Sequence, residues 1–586
     1  MATALSLALG AVVRRAAPMI GAVVPPRPDR WHEAATPSMG GIGIALAAAC
    51  GLLVLLARPE LREGASIWLP VVLAAGAMFL VGILDDRLQL SPVAKLVASL
   101  FVGAFLVFAL ADTELGGLPW GDTLLAIVWF AGLCHAMNLL DNMDGLASGV
   151  GLIAALFLAI VLGSQMGGTL VGVLMALAGA LLGFFYWNRS RARLFMGDCG
   201  SLFIGAVLGG CSLVPVFRAG DTLSRSAMMA VLILVVPLFD TSFVLVLRRL
   251  AGRPATRGGT DHVSHRLVSL GFSDRSAVRI LYVVGLGGGG TAVALASLDP
   301  DVMLPAVALF MVLIGLLGIY LARVPAYNAA DFLALQKSSF APFLKDLTFR
   351  WHAGQVLLDL VLISASYYFA YWLRFPNEQF AHFLPFFGAS LPAVLGLKLA
   401  SLYVSGLYRR SWQTFGLRDI GAVLRGVGLG SLLSVLVAAY VYRLEGFSRV
   451  VFILDALLLT AAVLGTRAFF PAMDLVASTR SKRSRRVVIY GAGGFGQMLV
   501  REFRANTDWR MNPVGYVDDD PAKTHRWIGG VPVRGTLDTL DDVLDSLRVE
   551  ELIISTRAVE GDVERRIRAA CAARKIRVRR LSMELH

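Results

Sequence analysis

The apolar stretch TLLAIVWFAGLCHAM, residues 123–137, is followed at once by the polar segment NLLDNMDG, residues 138–145. A second apolar stretch, LASGVGLIAALFLAIVLG, occupies residues 146–163. Runs of this kind are typical of helices that cross a lipid bilayer. Because two aspartates separate the two runs, acidic side chains are expected at a membrane interface.

Similar apolar runs recur along the 586-residue chain. They lie near residues 40–57, 66–84, 93–111, 169–187, 201–216, 227–247, 277–296, 302–322, 353–373, 383–404, 420–442 and 449–470. The N-terminal stretch Met1–Val13 is apolar but short for a span, so its status stays open. Counting it, we predict a polytopic α-helical membrane protein of about 15 spans. Hydrophobic residues make up 56% of the chain and charged residues 16%, which excludes a soluble globular protein.

The pattern changes after the basic string Arg480–Arg486, where short strands alternate with helices. A buried-strand pattern ends in GAGGFG, residues 491–496, before a helical segment. Gly491, Gly493 and Gly496 form a G-x-G-x-x-G turn, and Asp518 lies about 20 residues later, where a ribose-binding acid would lie. We therefore predict a C-terminal α/β domain of Rossmann-like fold. The motif alone leaves open whether a nucleotide or dinucleotide binds there.

Four segments follow from these patterns. We predict a bundle of about 11 spans over residues 1–325, a cytoplasmic linker over 326–352, a four-helix membrane module over 353–470 and the Rossmann-like domain over 471–586. Alternating the spans of the first bundle places 16 Lys and Arg residues on one face and 4 on the other. The positive-inside rule makes the richer face cytoplasmic, and the C-terminal domain falls on the same side. Since topology accounts for the net charge of +13, no nucleic-acid partner is expected.

Polar clusters gather on this predicted cytoplasmic face. They are Asp85-Asp86, the segment Asn138–Gly145, Met196–Ser201 and Asp261–Arg266. Each cluster alone is explained equally well by loop polarity and acidic helix caps, but four on one face favour a functional site. Carboxylates with an asparagine suit Mg²⁺ or Mn²⁺, and a nearby Arg/His cluster suits phosphate. In a bilayer, this chemistry indicates phosphoryl transfer to a lipid acceptor.

The motifs of residues 11–325 resemble those of the polyprenyl-phosphate N-acetylhexosamine-1-phosphate transferases, relatives of the phospho-N-acetylmuramoyl-pentapeptide transferase. The similar pieces are Pro28–His32, Thr36–Gly41, Leu84–Asp86, Asn138–Ala147, Phe195–Ser201, Pro237–Asp240 and His262–Arg266. The resemblance implies transfer of a sugar 1-phosphate from a UDP-sugar to polyprenyl phosphate, with release of UMP. It also implies a multi-pass protein in the lipid of the bacterial inner (plasma) membrane, with a cytoplasmic active site that serves cell-surface polysaccharide synthesis.

The same resemblance implies roles for individual residues. Asp198 and Asn138 would bind Mg²⁺, with Asp141 and Asp144 completing the metal and nucleotide site, and Asp85 or Asp86 would orient or deprotonate the lipid phosphate. The residues that would hold the pyrophosphate are His262, His265 and Arg266. Two simpler interpretations remain open: the histidines could serve loop packing, and Asp240 could be a buried hydrogen-bonding acid.

Residues 350–586 resemble the N-terminal module of bacterial polysaccharide-biosynthesis proteins. No sugar-nucleotide dehydratase or transferase domain follows the module in this sequence, so we interpret it as regulatory or scaffolding. A homodimer and polysaccharide-assembly partners are further expectations. Two other functions stay open: a sugar-nucleotide-modifying enzyme centred on the Rossmann-like domain, and a transporter, since intramembrane acids also mark ion pathways.

Overall fold

A computed structural model gives the conformation of most of the chain. It describes residues 1–25, 35–55, 64–112, 119–166, 168–218, 223–250, 259, 261–298, 300–322, 352–375, 377–409, 417–443, 447–480, 485–505, 509, 511–520, 523–524, 526–528, 531–555 and 561–580. These residues form two compact units, Met1–Pro471 and Ala472–His586. The predicted linker at 326–352 lies outside the described residues, apart from its last residue.

The first unit is built from helices. Those of the first bundle are α1 (Ala2–Ala16), α2 (Gly41–Leu55), α3 (Ala65–Leu88), α4 (Pro92–Ala111), α5 (Trp120–Leu140), α6 (Leu146–Met166), α7 (Thr169–Asn188), α8 (Asp198–Arg218), α9 (Leu223–Ile233), α10 (Val235–Leu250), α11 (Val263–Ser269), α12 (Asp274–Ser297) and α13 (Pro300–Ala322). A 3-10 turn, Ala17–Ile20, extends α1, and the short strands β1 (Val23–Val24) and β2 (Thr36–Pro37) pair antiparallel. The second bundle comprises α14 (His352–Arg374), α15 (Asn377–Val404), α16 (Leu417–Tyr442) and α17 (Arg449–Arg480).

The apolar runs predicted from the sequence are helical, so the predicted class of polytopic helical protein is confirmed. Among the described residues, eleven helices are long and apolar enough to cross a membrane, or twelve if one bent pair counts as a span. The predicted number of about 15 was higher because it also included α14 and two apolar helices whose qualifying parts are short, Gly41–Val54 and Ala306–Ala322.

The predicted span 227–247 is broken rather than continuous. Its two halves, Arg225–Ile233 and Val235–Arg249, meet at an angle of 80°. Pro237 explains the position of the break, because a proline ring collides with the carbonyl four residues earlier, here that of Ile233, and provides no N–H. The bend turns α10 towards the polar cluster that begins at Asp261.

The second bundle has charged side chains in its interior. Lys398 of α15 pairs with Asp455 of α17, and neither side chain is exposed. The Asp359 carboxylate accepts hydrogen bonds from Arg467 Nη2 (2.7 Å) and Tyr408 Oη (2.8 Å). Apolar residues of all four helices surround these groups. Intramembrane charges of this kind are costly unless paired, which explains the close pairing.

The second unit is a doubly wound α/β fold. Its strands are β3 (Arg485–Tyr490), β4 (Met511–Val517), β5 (Trp527–Ile528), β6 (Val531–Gly535), β7 (Glu551–Ile554) and β8 (Arg577–Arg580). They lie in the order β5-β6-β4-β3-β7-β8, and all neighbours are parallel except β5 and β6. The connecting helices are α18 (Gly494–Ala505), α19 (Leu540–Ser546) and α20 (Gly561–Ala573). The predicted C-terminal α/β fold is thereby confirmed.

Candidate active site

Helix α8 lies almost entirely buried between α3 and α5, and glycines set its distance from both. A Cβ atom placed on Gly82 of α3 would lie 2.3 Å from Cys199 Cα, and one placed on Gly205 of α8 would lie 2.6 Å from Cys134 Cα. Neither distance leaves room for a methyl group. The three helices therefore meet backbone to backbone, which brings the polar clusters at their ends together.

Asp86 fixes the start of α8. Its Oδ1 accepts a hydrogen bond from Asp198 N (2.8 Å), and its Oδ2 accepts one from Cys199 N (3.1 Å). Gly197 turns the chain here with a φ of +76°, and its close approach to Asp86 leaves no space for a side chain. Asp86 therefore acts as a cap that sets the position of Asp198.

Lys95 joins two of the predicted acids. Its Nζ donates to Asp85 Oδ2 (2.6 Å) and to Asp198 Oδ2 (3.1 Å), which connects α4 with α3 and α8. Asp85 Oδ1 also accepts a hydrogen bond from Leu90 N (2.8 Å). The Asp85 side chain is buried, whereas the Asp198 side chain is 32% exposed and can reach a ligand.

Asn138 lies beside Asp198 at the end of α5. Its Nδ2 donates to Ser201 Oγ (3.0 Å), which joins the end of α5 to the first turn of α8, where Asp198 lies. The structure thus brings together the two residues predicted as metal ligands. Their oxygens are hard donors of the kind that Mg²⁺ prefers.

Among the described residues, no group of three or more His, Cys, Asp or Glu side chains could hold a metal alone. Mg²⁺ commonly uses one or two carboxylates and takes its other ligands from water and substrate phosphates. The pair Asp198 and Asn138 fits that kind of site, and it does not fit a closed metal cage.

Asp141 and Asp144 lie in the turn between α5 and α6. Asp144 Oδ2 accepts a hydrogen bond from Ala192 N (2.9 Å), which ties this turn to the loop before α8. The fully buried Asn188 side chain accepts from Gly145 N (3.1 Å) through its Oδ1. Asp141 is half-buried at the end of α5. The turn is therefore held on two sides, and both aspartates lie in the same turn, a few residues beyond Asn138.

The predicted histidine cluster lies at the start of α11, where Asp240 of α10 holds it. His262 Nδ1 lies 2.7 Å from Asp240 Oδ2, and Val263 N donates to Asp240 Oδ1 (2.8 Å). The interpretation of Asp240 as a buried hydrogen-bonding acid agrees with this geometry. A further bond runs from Ser264 Oγ to Asn142 Oδ1 (2.7 Å), so the cluster is joined to the turn after α5.

Arg266 is buried and directed into the protein. Its Nε donates to the carbonyl oxygen of Asp261 (3.1 Å), its Nη1 donates to that of Leu321 (3.1 Å), and the guanidinium lies over the ring of Phe243. Its predicted contact with a pyrophosphate stays a prediction. The observed contacts show it joining α11 to α13.

Two further groups define the charge around α11. Burial alone would raise the pKa of Asp261. The bidentate hydrogen bond from the Arg248 guanidinium outweighs burial, so this pKa lies below its usual range. Burial lowers the pKa of His265 to about 4. At neutral pH His265 is therefore uncharged, and it can offer a phosphate a hydrogen bond but no positive charge.

The glycine turn of the α/β unit has the predicted form. A Cβ atom on Gly496 would lie 2.1 Å from the carbonyl oxygen of Gly491, so only glycine fits there. The Asp518 carboxylate accepts hydrogen bonds from Ala492 N (2.6 Å) and from Lys523 Nζ (3.1 Å). Burial raises the pKa of Asp518, but these bonds lower it below its usual range. The acid predicted for a ribose thus binds its own turn, and ligand binding by Gly491, Gly493, Gly496 and Asp518 stays a prediction.

Lys95 and Asn142 belong to the site but were not predicted from the sequence. Lys95 counted only as a topological charge, because its partner Asp198 is 103 residues away. Asn142 lay inside a recognised motif, but its partner Ser264 is 122 residues distant. An acid pair ten residues before a lone lysine in an apolar helix was the available signal for Lys95.

Carboxylates, a lysine and an amide lie together at the ends of helices in a membrane bundle. This arrangement defines a polytopic membrane enzyme, and comparison with known proteins identifies its family. The model for "Glycosyl transferase family 4" matches residues 68–215, which include Asp85, Asn138 and Asp198. The model for a "CoA-binding domain" matches residues 404–576.

The names of similar proteins agree with the first match. A probable undecaprenyl-phosphate N-acetylglucosaminyl 1-phosphate transferase of Bacillus subtilis is 29% identical over 343 residues, 57% of this chain and 90% of the relative. A decaprenyl-phosphate N-acetylglucosaminephosphotransferase of Mycolicibacterium smegmatis is 32% identical over 312 residues, 48% of this chain and 77% of the relative. A phospho-N-acetylmuramoyl-pentapeptide-transferase of Lactobacillus gasseri is 28% identical over 291 residues, 46% of this chain and 88% of the relative.

The chain therefore belongs to glycosyl transferase family 4, and it is a multi-pass membrane enzyme that transfers a sugar phosphate to polyprenyl phosphate. The resemblance inferred from the motifs of the first bundle is confirmed.

Proposed function

We propose that the enzyme transfers N-acetylglucosamine 1-phosphate from UDP-N-acetylglucosamine to polyprenyl phosphate and releases UMP. The observation that carries this proposal is the link that Lys95 makes between Asp85 and Asp198, with Asn138 beside it. It is a polar site at the ends of three membrane helices, where a lipid phosphate and a water-soluble nucleotide sugar can meet. The names of the relatives support the choice of sugar.

In this proposal a phosphate oxygen of the lipid attacks the β-phosphorus of the nucleotide sugar. The bond from that phosphorus to the oxygen bridging it to the α-phosphorus breaks, and UMP leaves with the electron pair. A phosphate monoester with a second pKa near 6 is already largely dianionic at neutral pH, so the nucleophile needs no strong base. Both oxygens of Asp86 already accept backbone bonds, which favours positioning over proton removal for this residue.

Asp198 and Asn138 are the residues that would hold Mg²⁺, with Mn²⁺ as the alternative ion. When bound, the ion would neutralise charge on the pyrophosphate oxygens. Lys95 keeps Asp85 and Asp198 close together despite their like charges. Asp141 and Asp144 would face the nucleotide from the turn after α5, and His262 would contact the pyrophosphate from α11.

We further propose that the site faces the cytoplasm of a bacterial cell across its plasma membrane. The excess of Lys and Arg on one set of loops supports this orientation. Two exposed serines test it, because Ser273 lies on the proposed cytoplasmic face and Ser66 on the opposite face. In intact cells, an impermeant thiol reagent should label Ser66→Cys and leave Ser273→Cys unlabelled. The reverse pattern would overturn the orientation.

The decisive experiment measures UMP release by the purified full-length enzyme with polyprenyl phosphate, Mg²⁺ and a panel of UDP-sugars. Release should require the lipid and a divalent ion and should be fastest with UDP-N-acetylglucosamine. Asp198→Asn should reduce turnover by at least about a hundredfold. Asp274→Asn, which changes an exposed acid in the first turn of α12, is the matched control and should leave turnover unchanged. Release without lipid, or full activity in Asp198→Asn, would contradict the proposal.

A further inference from the structure

Three consecutive residues at the start of α11 are held by side chains of two other segments. His262 and Val263 are bound by the two oxygens of Asp240 (2.7 and 2.8 Å), and Ser264 donates to Asn142 Oδ1 (2.7 Å). Asp240 is 1% exposed and His262 is 4% exposed. The start of α11, which carries this imidazole, is therefore held from two directions, by α10 and by the turn after α5.

The bond to Asp240 also decides which ring nitrogen of His262 can meet a ligand. A carboxylate accepts hydrogen bonds only, so the nitrogen facing it, Nδ1, must carry a proton. Nε2 is then the ring nitrogen left for the ligand. A protonated Nε2 can donate a charge-assisted hydrogen bond to a phosphate oxygen.

We propose that Asp240 and Asn142 are positioning residues that hold His262 against the turn 138–145, with Nε2 directed to the pyrophosphate of the nucleotide sugar. This inference rests on the proposed function. It also explains why the span breaks at Leu234, between α9 and α10. The bend directs the helix that carries Asp240 to the start of α11, where an unbroken span would continue in its original direction.

The charges around His262 agree with a role for this ring. Arg248 is already satisfied by Asp261, and Arg266 by two backbone carbonyls. His265, whose ring centre lies 6.1 Å from that of His262, is uncharged at neutral pH. Among these neighbours, the contacts described leave Nε2 of His262 for a phosphate.

Asp240→Asn tests the inference while preserving shape. The remaining oxygen can accept from Val263 N, but the amide NH₂ then faces His262 Nδ1. The ring must then switch to the other tautomer or lose this hydrogen bond, so the interaction that fixes the imidazole is no longer the same. We expect kcat to fall by about a hundredfold, with the KM for UDP-N-acetylglucosamine changed by less than about threefold, because the charge on the leaving UMP develops in the transition state.

A double-mutant cycle separates positioning from simple structural support. If Asp240 acts through His262, Asp240→Asn should have no further effect on kcat in a His262→Gln background. Ser264→Ala should lower kcat by about tenfold, and Ser264→Thr, which keeps the hydroxyl, should restore most of it. Thermal unfolding of each variant shows whether it folds, and Asp274→Asn is again the matched control.

The outcomes distinguish this inference from the proposed function. Multiplicative losses in the double mutant, or an unchanged kcat in Asp240→Asn, would overturn the positioning role while the unaltered enzyme still releases UMP. Absence of UMP release by the unaltered enzyme with every UDP-sugar would overturn the proposed function, and this inference with it.

Discussion

The ammonium group of Lys398 and the carboxylate of Asp455 form an ion pair with no solvent exposure inside the second bundle. Helix α16 closes over it, since a Cβ atom on Gly430 would lie 2.9 Å from Lys398 Cα. No role for the interior of this bundle was predicted from the sequence. The pair shows that its helices are held by a charge interaction that water cannot replace.

Removing one partner of this pair should therefore destabilise the bundle strongly. Asp455→Ala leaves a buried ammonium without a counter-charge, and we expect the free energy of unfolding to fall by about 3–5 kcal/mol. Lys398→Met combined with Asp455→Leu should recover most of that loss, since two apolar side chains suit the surroundings. Unfolding of the purified protein in mixed detergent micelles measures both. An equal loss in the double variant would contradict this account.

Lys95 should be needed for turnover because it holds two acids together. Lys95→Met leaves Asp85 and Asp198 without the shared cation, and their repulsion should displace Asp198. We expect UMP release to fall by at least about tenfold. Adding Asp85→Asn removes the repulsion and should restore part of the rate. If the two changes simply multiply their losses, the lysine has a separate role.

His265 should make the stability of the first bundle depend on pH. Burial lowers its pKa from 6.5 to about 4 in the folded protein. Above pH 6.5 both states are neutral and the full stability is present, whereas between pH 6.5 and 4 the unfolded chain takes up a proton that the folded chain excludes. Acidification across this window should cost on the order of 3 kcal/mol. His265→Gln should flatten the pH dependence of thermal unfolding, and the exposed His382→Gln should not.

The first bundle should retain the transfer reaction by itself. The Bacillus subtilis relative aligns over 90% of its own length with only 57% of this chain, so most of the remainder has no counterpart in it. We expect a chain ending at residue 335 to insert and to transfer within about tenfold of the full-length rate, a difference near 1.4 kcal/mol in barrier. We expect this truncation to remove the contact between the rings of Tyr320 and Phe469. A folded but inactive chain would assign the C-terminal half a part in the site.

Much of the fold could be predicted because a membrane span depends on the composition of one continuous stretch of sequence. Apolar runs gave the helices, and the strand-turn-helix pattern around Gly491 gave the C-terminal fold. The break at Leu234 was missed although Pro237 signalled it, because hydropathy over 227–247 is continuous. Helix existence depends on composition, whereas helix direction depends on single residues.

The residues of the site could be predicted from the sequence, but fewer of the hydrogen bonds and ion pairs between them could. Asp198 and Asn138 were expected to be neighbours, and they are. The link through Lys95 could not be predicted, because it depends on how three helices pack. Asp518 shows the same limit, since its place after β4 was expected but its bond to Ala492 N was not. Sequence spacing identifies candidates for a site, and tertiary packing decides what each one touches.

The contact between Gly82 and Cys199 has a consequence for how this enzyme can change over time. The distance between the acids of α3 and α8 is set by two touching backbones, so no exchange of side chains can adjust it gradually. Any larger residue at position 82 would push α3 and α8 apart and would separate Asp85 and Asp86 from Asp198 in one step. Variation in substrate choice among related enzymes should therefore arise in the surrounding loops, with this contact left as the fixed reference point.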